Sequence, residues 1–338
     1  MAEDKPFFLA QNSGLGVARP EDDLLHPEQN ALVDDVSCTE TQYFGFSVPE
    51  ARIHGIGYLW HHPKLKTLTG GVYAWRGIKP NLMYSELTDV RCFMSDAAIA
   101  NDLHEYRLVN GYGVRVVEAL KHHHLTYTDA SRNNHIDLHY EALQAPVMFG
   151  DGKHFEQPMR VTGELVLRGQ RYEVNGYNVR DRSWGKPRSE THQPVPAYSW
   201  LTGVFSPEFS FNCGVFDQAA GNPELAGTRF ALPLERTLSG GWVQRDGKLA
   251  RIVKATKRVV RLPDMLLPTY LELDAIDELE RPLHLRGSMI AANNWSITPN
   301  INFVVCLMRW ECEGLVAYGD CQEGVWSDYV NAFSSHAR

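Results

Sequence analysis

The stretch Asn175-Gly-Tyr-Asn-Val-Arg-Asp-Arg-Ser-Trp-Gly-Lys-Pro-Arg188 is the most informative part of this chain. Its central Arg-Asp-Arg triplet stands just before a large aromatic residue, Trp184. In an extended segment, successive side chains point to opposite faces. The alternation therefore predicts that Arg180, Arg182 and Trp184 share one face of a strand. Asp181 is expected on the opposite face.

Two interpretations of the Arg-Asp-Arg triplet stay open. The first is structural: an ion-pair cluster pins a strand end or holds two halves of the protein together, and such networks are common. The second is chemical: a carboxylate and an aromatic ring border a site for a small molecule. The faces matter to this choice, because extended geometry points Arg180 and Arg182 away from Asp181.

The length of the chain favours two packed halves. At 338 residues it exceeds the roughly 250–300 residues at which a single hydrophobic core stops growing. Apolar residues make up 43% of the sequence and charged residues 22%, as in ordinary folded proteins. The formal net charge of -8 argues against nucleic acid and anionic membrane surfaces as partners.

The sequence shows no mark of secretion or membrane insertion. Its start, Met-Ala-Glu-Asp-Lys-Pro, has no basic segment followed by an apolar run. The longest apolar run, residues 303–308, is too short to span a bilayer. The six cysteines show no C-x-x-C spacing. We therefore expect a cytoplasmic protein without integral membrane segments, and the sequence leaves a homodimer open.

Alternation of polar and apolar residues predicts strands throughout the chain. It is clear at residues 135–141, 161–167 and 270–275, where one face of each strand would be dry. Dipeptides that tolerate the positive φ of tight turns separate such runs, namely Asn110-Gly111, Asp151-Gly152, Asn175-Gly176 and Asp246-Gly247. We predict an all-β fold of antiparallel barrels or sandwiches, because long meanders avoid exposed edges.

Helices are expected to be few and short. One candidate spans residues 95–106, with Ser95 as its cap. Residues 1–50 are polar and broken by prolines, so they are predicted to form an N-terminal extension. Prolines cluster again at the predicted junction between two β domains, which are placed at residues 51–190 and 191–338.

Two histidine patterns are candidates for binding. In a strand, His122 and His124 would share a face and could hold a metal ion. Exposed loop histidines are the stronger expectation there, and no metal site is predicted. His54 stands among glycines in Ile53-His-Gly-Ile-Gly57, which permits close approach of a backbone or a ligand. A structural histidine explains that position equally well.

The motifs favour acid–base chemistry. The chain contains no Gly-x-Ser-x-Gly nucleophile motif, no phosphate loop and no dinucleotide fingerprint. The available carboxylates are Asp181, Glu156 and Glu323. A carboxyl group buried away from cations can deliver a proton near neutral pH, whereas one beside arginines stays ionised.

Residues 180–185, Arg-Asp-Arg-Ser-Trp-Gly, resemble a signature of the carotenoid 1,2-hydratase (hydroxyneurosporene synthase) and kievitone hydratase-like superfamily. In that signature an Asp is followed by His, any residue, Trp and Gly. Asp181, Trp184 and Gly185 match it. Arg182 replaces the histidine, and an arginine cannot donate a proton at neutral pH. Any proton-transfer role of the family's histidine is therefore lost or moved in this chain.

The resemblance implies two lipocalin-like β halves and a proton-initiated reaction on a hydrophobic small molecule, such as an isoprenoid, a steroid or an aromatic lipid. Asp181, or Glu323 in its place, would protonate a carbon–carbon double bond. Trp184 would stabilise the resulting cation, and Arg182 would suit a substrate oxygen. Hydration, cyclisation or isomerisation would follow. Neither a cofactor nor a metal is implied.

The remaining candidates would bind the substrate, and they are Arg180, His54, Tyr177, Trp200 and Glu156. The alternative function is a non-catalytic carrier of the same hydrophobic ligands, because lipocalin-like cavities also bind molecules without chemistry. A third alternative is a structural or interaction module, in which the charged triplet only holds the protein together.

Overall fold

The computed structural model describes residues 15–188, 194–295 and 300–334. These residues divide into two compact units. The first unit contains residues 15–76 and 83–188, and the second contains residues 77–82 and the described residues from 194 onward. Antiparallel sheet builds both units, so the predicted all-β fold class is confirmed.

A curled sheet forms the first unit. Its strands are β1 Leu15–Val17, β2 Cys38–Val48, β3 Ile53–His62, β4 Thr67–Arg76, β5 Leu87–Ser95, β6 Glu105–Arg107, β7 Gly113–Glu118, β8 His122–Asp129, β9 Asn134–Ala142, β10 Val147–Phe149, β11 His154–Leu167 and β12 Gln170–Pro187. The order along the sheet is β5-β4-β3-β2-β12-β11-β9-β8-β7-β6, with β10 on β11 and β1 on β10. β12 therefore lies in the middle, between β2 and β11.

Eight strands close into a barrel in the second unit. They are β13 Tyr198–Ser206, β14 Phe209–Phe216, β15 Leu238–Arg245, β16 Lys248–Arg261, β17 Pro268–Asp277, β18 Pro282–Trp295, β19 Ile301–Cys312 and β20 Leu315–Trp326. Residues 77–82, which follow β4 in the chain, join this unit. The Lys79 amide donates to the Ala292 carbonyl at 2.8 Å, and the Ala292 amide donates to the Gly77 carbonyl at 3.0 Å.

Helical structure is sparse in the described residues. The α-helices are α1 Pro27–Ala31 and α2 Ser327–Phe333. Single 3-10 turns occur at Pro20–Asp23, Pro49–Ala51, Leu82–Tyr84, Asp96–Ile99, Ala130–Arg132, Pro223–Leu225 and Leu234–Arg236. Across this part of the chain, no helix combines the length and the hydropathy that a membrane crossing requires.

Strand alternation builds the hydrophobic core of each unit. In β9, Ile136, Leu138 and Tyr140 are buried, and the residues between them are partly exposed. This is the pattern predicted for residues 135–141. In the barrel, buried Phe211 and Trp310 meet edge to face, with ring centroids 5.5 Å apart.

The predicted helix at residues 95–106 is wrong, because the chain forms only a single 3-10 turn there, Asp96–Ile99. Ser95 does cap that turn: its Oγ accepts from the backbone amide two residues later at 3.2 Å. Asp102 and Leu103 then adopt φ values of 52° and 61°. A right-handed helix cannot continue through those values, so the chain leaves the turn and enters β6.

The turn predicted at Asn175-Gly176 is also wrong, because both residues lie inside β12. The β11–β12 hairpin turns at Arg168-Gly169 instead, with φ values of 48° and 84°. Residues 38–48, assigned from the sequence to an extension, form β2 between β3 and β12. The polar residues at positions 39–42 give β2 no apolar alternation in the sequence, yet all four are buried in the structure.

Candidate active site

The two faces of β12 carry different polar clusters. Gln42 of β2 lies directly opposite Arg182, and Tyr43 lies directly opposite Asp181. Directly opposed residues of a sheet point to the same face. Gln42 accepts a hydrogen bond from the core residue Tyr106, whose hydroxyl lies 2.7 Å from Gln42 Oε1. Arg182 therefore faces the core, on what we call the inner face, and Asp181 faces the outer face.

Arg180 is fully buried on the inner face, where its Nη1 donates to Asp23 Oδ1 at 2.6 Å. Its Nε donates to Gln157 Oε1 at 2.8 Å, and its guanidinium lies 5.0 Å from the centre of the Phe155 ring. His123 Nε2 lies 3.1 Å from Asp23 Oδ2. Burial alone would raise the pKa of Asp23, but the Arg180 charge and the His123 bond outweigh it and hold that pKa well below its usual range.

Arg182 is enclosed in the same way. Its Nη2 pairs with Glu40 Oε1 and donates to the Leu24 carbonyl at 2.9 Å. Burial alone would raise the pKa of Glu40, but the His26 hydrogen bond and the Arg182 charge lower it. A guanidinium held this way is a structural ion pair. Both arginines are therefore held in buried ion pairs, as the structural interpretation expects.

Trp184 also belongs to the inner face. Its indole stacks on the His26 ring, with centroids 3.7 Å apart and planes 4° apart. Phe155 meets the indole edge to face at 6.2 Å. Only 1% of Trp184 is exposed. The structure thus separates Trp184 from Asp181, although the resemblance implied that both act on one substrate.

On the outer face, four side chains form a row across four strands, which we call the carboxyl–phenol row: Glu156, Asp181, Tyr43 and Tyr58. Each is directly opposite the next in the pairing of β11, β12, β2 and β3. Glu156 and Tyr43 are each 1% exposed, whereas Asp181 is partly exposed. The two tyrosine rings meet at 74°, with centroids 6.4 Å apart. The row sets two carboxyl groups beside two phenols.

A set of hydrogen bonds borders this row. Thr41 Oγ1 and Ser183 Oγ lie 2.7 Å apart, and Arg188 Nη2 donates to the same Ser183 oxygen at 2.7 Å. Burial raises the pKa of Tyr58, the Asp181 charge adds to that rise, and Arg188 and a Thr41 hydrogen bond partly offset it. The Tyr58 phenol is therefore protonated at neutral pH and can act as a hydrogen-bond donor.

His154 adds a basic group to the outer face. It lies directly opposite Ser183 in the β11–β12 pairing. Burial lowers its pKa well below the usual value, and the charges of Lys186 and Arg188 lower it further. The His154 imidazole is therefore neutral at pH 7 and is a weaker base than an ordinary histidine.

The other predicted binding residues are scattered. His54 is buried and meets the Trp75 ring edge to face at 5.1 Å. The glycine after it gives room to the core, because a Cβ at Gly55 would meet the Phe46 ring at 2.2 Å. Tyr177 lies four residues before Asp181 on β12, below the Arg160 guanidinium at 5.8 Å. Trp200 is on β13, in the second unit.

Glu323 also lies in the second unit, inside a four-charge cluster. Its Oε1 accepts from Arg261 Nε at 2.7 Å, and its Oε2 accepts from Ser199 Oγ at 2.8 Å. Lys257 and Arg261 both contact Asp217, at 2.8 and 2.7 Å. This cluster balances two cations with two carboxylates in a buried ion-pair network.

Sequence reasoning missed Tyr43, Tyr58 and His154 on the outer face. A tyrosine or histidine with apolar neighbours gives no local signal of function. Only the pairing of β12 with β2 and β11 brings them to Asp181, and strand pairing is not encoded in any short motif.

The fold and site define a class of β proteins with two units, one a curled sheet and the other a closed eight-stranded barrel. Within that class, the chain belongs to the family described as Domain of unknown function (DUF7064), whose sequence model matches residues 19–328. No curated protein sequence matches the chain.

Solved structures align with this chain at low sequence identity. A structure described as a putative AttH from Nitrosomonas europaea aligns with a TM-score of 0.61 at 9% identity, covering 93% of this chain and 97% of that one. Kievitone hydratase from Nectria haematococca aligns with a TM-score of 0.54 at 11% identity, covering 96% and 99%. CghA aligns with a TM-score of 0.48 at 13% identity, covering 95% and 96%.

Proposed function

We propose that this protein is a cofactor-independent acid–base enzyme of the hydratase, isomerase or cyclase type, acting on a hydrophobic small molecule. The observation that carries the proposal is the carboxyl–phenol row on the outer face of β12. It supplies a carboxyl acid, a protonated phenol and, in His154, a neutral base from the chain itself. We place the hydrophobic substrate against this face, with an isoprenoid, steroid or aromatic-lipid skeleton.

Asp181 is the proposed proton donor. It lies directly opposite Glu156, so the two carboxyl-bearing side chains project from the same face of the sheet. Glu156 is almost fully buried, whereas Asp181 is partly exposed. Asp181 is therefore the member of the pair that a substrate can reach.

The reaction begins when the Asp181 carboxyl transfers its proton to one carbon of a double bond, which leaves a carbocation on the other carbon. In a hydration, water adds to that cation and returns a proton to the Asp181 carboxylate, so the acid is regenerated. In an isomerisation, the substrate itself loses a neighbouring proton, for which His154 is a suitable acceptor. In a cyclisation, a hydroxyl group of the substrate attacks the cation and releases its proton to the Asp181 carboxylate, so a ring forms and the acid is regenerated.

Tyr43 and Tyr58 take the role first assigned to Trp184. The negative face of an aromatic ring attracts a cation within about 6 Å, and both tyrosine rings lie on the same side of the sheet as Asp181. Tyr58, with its raised pKa, would also donate a hydrogen bond to a substrate oxygen. Arg188 is the matching cation for an anionic substrate group.

The fold supports this proposal at a coarse level. Kievitone hydratase, by its name an enzyme that hydrates kievitone, shares the architecture along nearly its whole length. A shared fold hosts many functions, so the reaction type rests on the row itself. The shared fold and the Asp-x-x-Trp-Gly match at residues 181–185 together support placing the chain in the broader superfamily of kievitone hydratase.

The proposal is tested by isotope transfer. The full chain is incubated in deuterated water and, separately, in water labelled with heavy oxygen, with a prenylated phenol, a steroid alkene and a linear isoprenoid. Mass spectrometry then separates the outcomes. A hydratase incorporates both labels, an isomerase or a cyclase incorporates deuterium alone, and a carrier returns its ligand unlabelled. Recovery of all compounds unlabelled would contradict the enzyme proposal.

A matched pair of variants assigns the proton donor. Asp181→Asn removes the acid and keeps the shape of the side chain, so label transfer should fall. Glu173→Gln neutralises an exposed carboxylate on the same strand and the same face, eight residues away. Label transfer should survive that change.

A further inference from the structure

A histidine-rich patch lies on the exposed face of β8 and β9, away from the carboxyl–phenol row. His122 and His124 alternate along β8, and Asp137 and His139 alternate along β9. His124 lies directly opposite His139 in the pairing of the two strands. Their side chains therefore emerge from one face of the sheet, within reach of one another.

The ligand atoms of this patch converge. One atom each from His124, Asp137 and His139 lies within 4.8 Å of the other two. His124 Nε2 is 2.8 Å from Asp137 Oδ1, and His139 Nε2 is 3.9 Å from that same oxygen. The His124 and His139 rings are parallel to within 2°, with centroids 4.4 Å apart. Two imidazoles and a carboxylate thus each bring one ligand atom into a single small cluster.

We propose that His124, Asp137 and His139 form a binding site for a first-row divalent transition-metal ion, of which zinc is the type. Imidazole nitrogen and carboxylate oxygen are ligands that zinc prefers, at about 2.0–2.2 Å. The three ligand atoms lie within 4.8 Å of one another, so rotations of the side chains would place all three around such an ion. Exposed loop histidines were the stronger expectation at His122 and His124, but both residues lie on strand β8.

Exposure leaves room for the ion to enter and for water to complete its coordination. The exposed fractions of the side chains are 20% for His124, 45% for Asp137 and 43% for His139. Three protein ligands with an open position are the arrangement of zinc sites that bind a further molecule. The site therefore holds an accessible ion and not a sealed structural one.

His122 orients the imidazole of His139 through a hydrogen bond to the nitrogen that does not face the ion. Its Nε2 lies 3.1 Å from His139 Nδ1. When His139 Nδ1 donates its proton to His122 Nε2, the lone pair of His139 Nε2 is free for the ion. Metal-bound histidines are commonly oriented by such a bond from their second nitrogen. His122 is thus a positioning residue rather than a ligand.

Among the described residues, a second exposed histidine–aspartate pair lacks the third potential ligand that is present in the patch. In the barrel, His284 Nδ1 lies 2.7 Å from Asp274 Oδ1, and both side chains are largely exposed. Within the described ranges, the only group of three or more potential ligands is the one on β8 and β9. The His284–Asp274 pair therefore supplies a matched control, because it has the same chemistry without the third ligand.

The experiment is a titration of the full chain, without a histidine tag and after chelator treatment, with zinc in a calorimeter. We expect one saturable site per chain. His124→Gln and His139→Gln should each weaken zinc binding at least about tenfold, and His122→Gln should weaken it less. His284→Gln should leave it unchanged. Cobalt replaces zinc in a second titration, and its visible absorption reports nitrogen and oxygen ligands directly.

The outcomes are decisive in both directions. Failure to bind zinc, or zinc binding that persists in a His124→Gln/His139→Gln double variant, would overturn the proposal. A circular dichroism spectrum and an unfolding curve like those of the wild type show that each variant is folded. No substrate enters this experiment, so its result is independent of whether Asp181 catalyses a reaction.

Discussion

Asp181 and Trp184 stand three residues apart in β12 and project from opposite faces of the strand. Asp181 lies opposite Tyr43 on the outer face, whereas Trp184 stacks on His26 on the inner face. The motif is therefore divided between the two faces of the sheet. Its arginines and tryptophan contact Asp23, Glu40 and His26 of the polypeptide before β3, and its aspartate is the residue for which we propose a chemical role.

The stacking of Trp184 predicts a structural role. Trp184→Ala should lower the free energy of unfolding by about 3–5 kcal/mol, because a large buried ring leaves a cavity. Label transfer per folded molecule should stay close to that of the wild type. Urea unfolding measures the first quantity, with Tyr84→Ala as the control for an exposed aromatic residue. A large loss of rate in fully folded protein would return Trp184 to the mechanism.

The Arg180–Asp23 pair predicts a second stability effect. Arg180→Met removes the cation that pairs with the buried Asp23 carboxylate and leaves His123 as its side-chain partner. The free energy of unfolding should fall by about 3–5 kcal/mol. Adding Asp23→Asn should recover part of that loss, since the stranded charge is removed. The exposed pair Lys121–Glu118 is the comparison, and Lys121→Met there should cost below about 1 kcal/mol. Equal costs at the two sites would refute the structural assignment.

The Asp217 carboxylate predicts acid sensitivity. Burial alone would raise its pKa, but the charges of Arg261 and Lys257 outweigh it and lower the pKa to about 2. An unfolded aspartate titrates near about 3.9. Between those two values the unfolded chain binds a proton that the folded chain does not. The free energy of unfolding therefore falls as the pH falls, by up to about 1.4 kcal/mol per pH unit for this one group.

Urea titrations from pH 5 down to pH 2 check this contribution. Asp217→Asn should flatten the slope in that window, although the variant is less stable at every pH. Asp246→Asn, at a largely exposed position, should leave the slope as it is. An unchanged slope in Asp217→Asn would show that its carboxylate is not ionised in the folded protein at low pH.

A variant of Glu323 distinguishes a structural role in a buried ion-pair network from a role as a catalytic acid. It accepts from Arg261 and Ser199 in the second unit, so Glu323→Gln should destabilise the protein by about 3 kcal/mol. Label transfer by the folded fraction should persist. A variant that unfolds at the wild-type urea concentration but transfers no label would instead support Glu323 as a proton donor.

The sequence predicted the strands at residues 135–141, 161–167 and 270–275 and the two faces of β12 around Asp181, because a period of two residues is a local property. The sequence did not reveal which residues contact the side chains of β12. Asp23, which neutralises Arg180, comes from a polar segment more than 150 residues earlier, and polar composition does not reveal a buried carboxylate. The helix predicted at residues 95–106 was wrong for a similar reason. Asp102 and Leu103 adopt left-handed φ values, which cannot be predicted from their residue types.

The set of side chains on the outer face could be predicted from the sequence only in part. Asp181 could be singled out from its motif, but Glu156 and Tyr58 join it only through the pairing of four strands. A shift of that register by one residue would send every one of those side chains to the other face. No pattern within one strand fixes the register of its neighbours.

The rate of deuterium transfer from labelled water to an alkene substrate, compared between the wild type and Asp181→Asn, tests the central claim most directly. A carboxyl that acts as the general acid contributes about 100-fold or more to the rate. We predict a loss of at least that size in Asp181→Asn, with the unfolding curve unchanged and Glu173→Gln fully active. Deuterium transfer at the wild-type rate by folded Asp181→Asn would contradict the account.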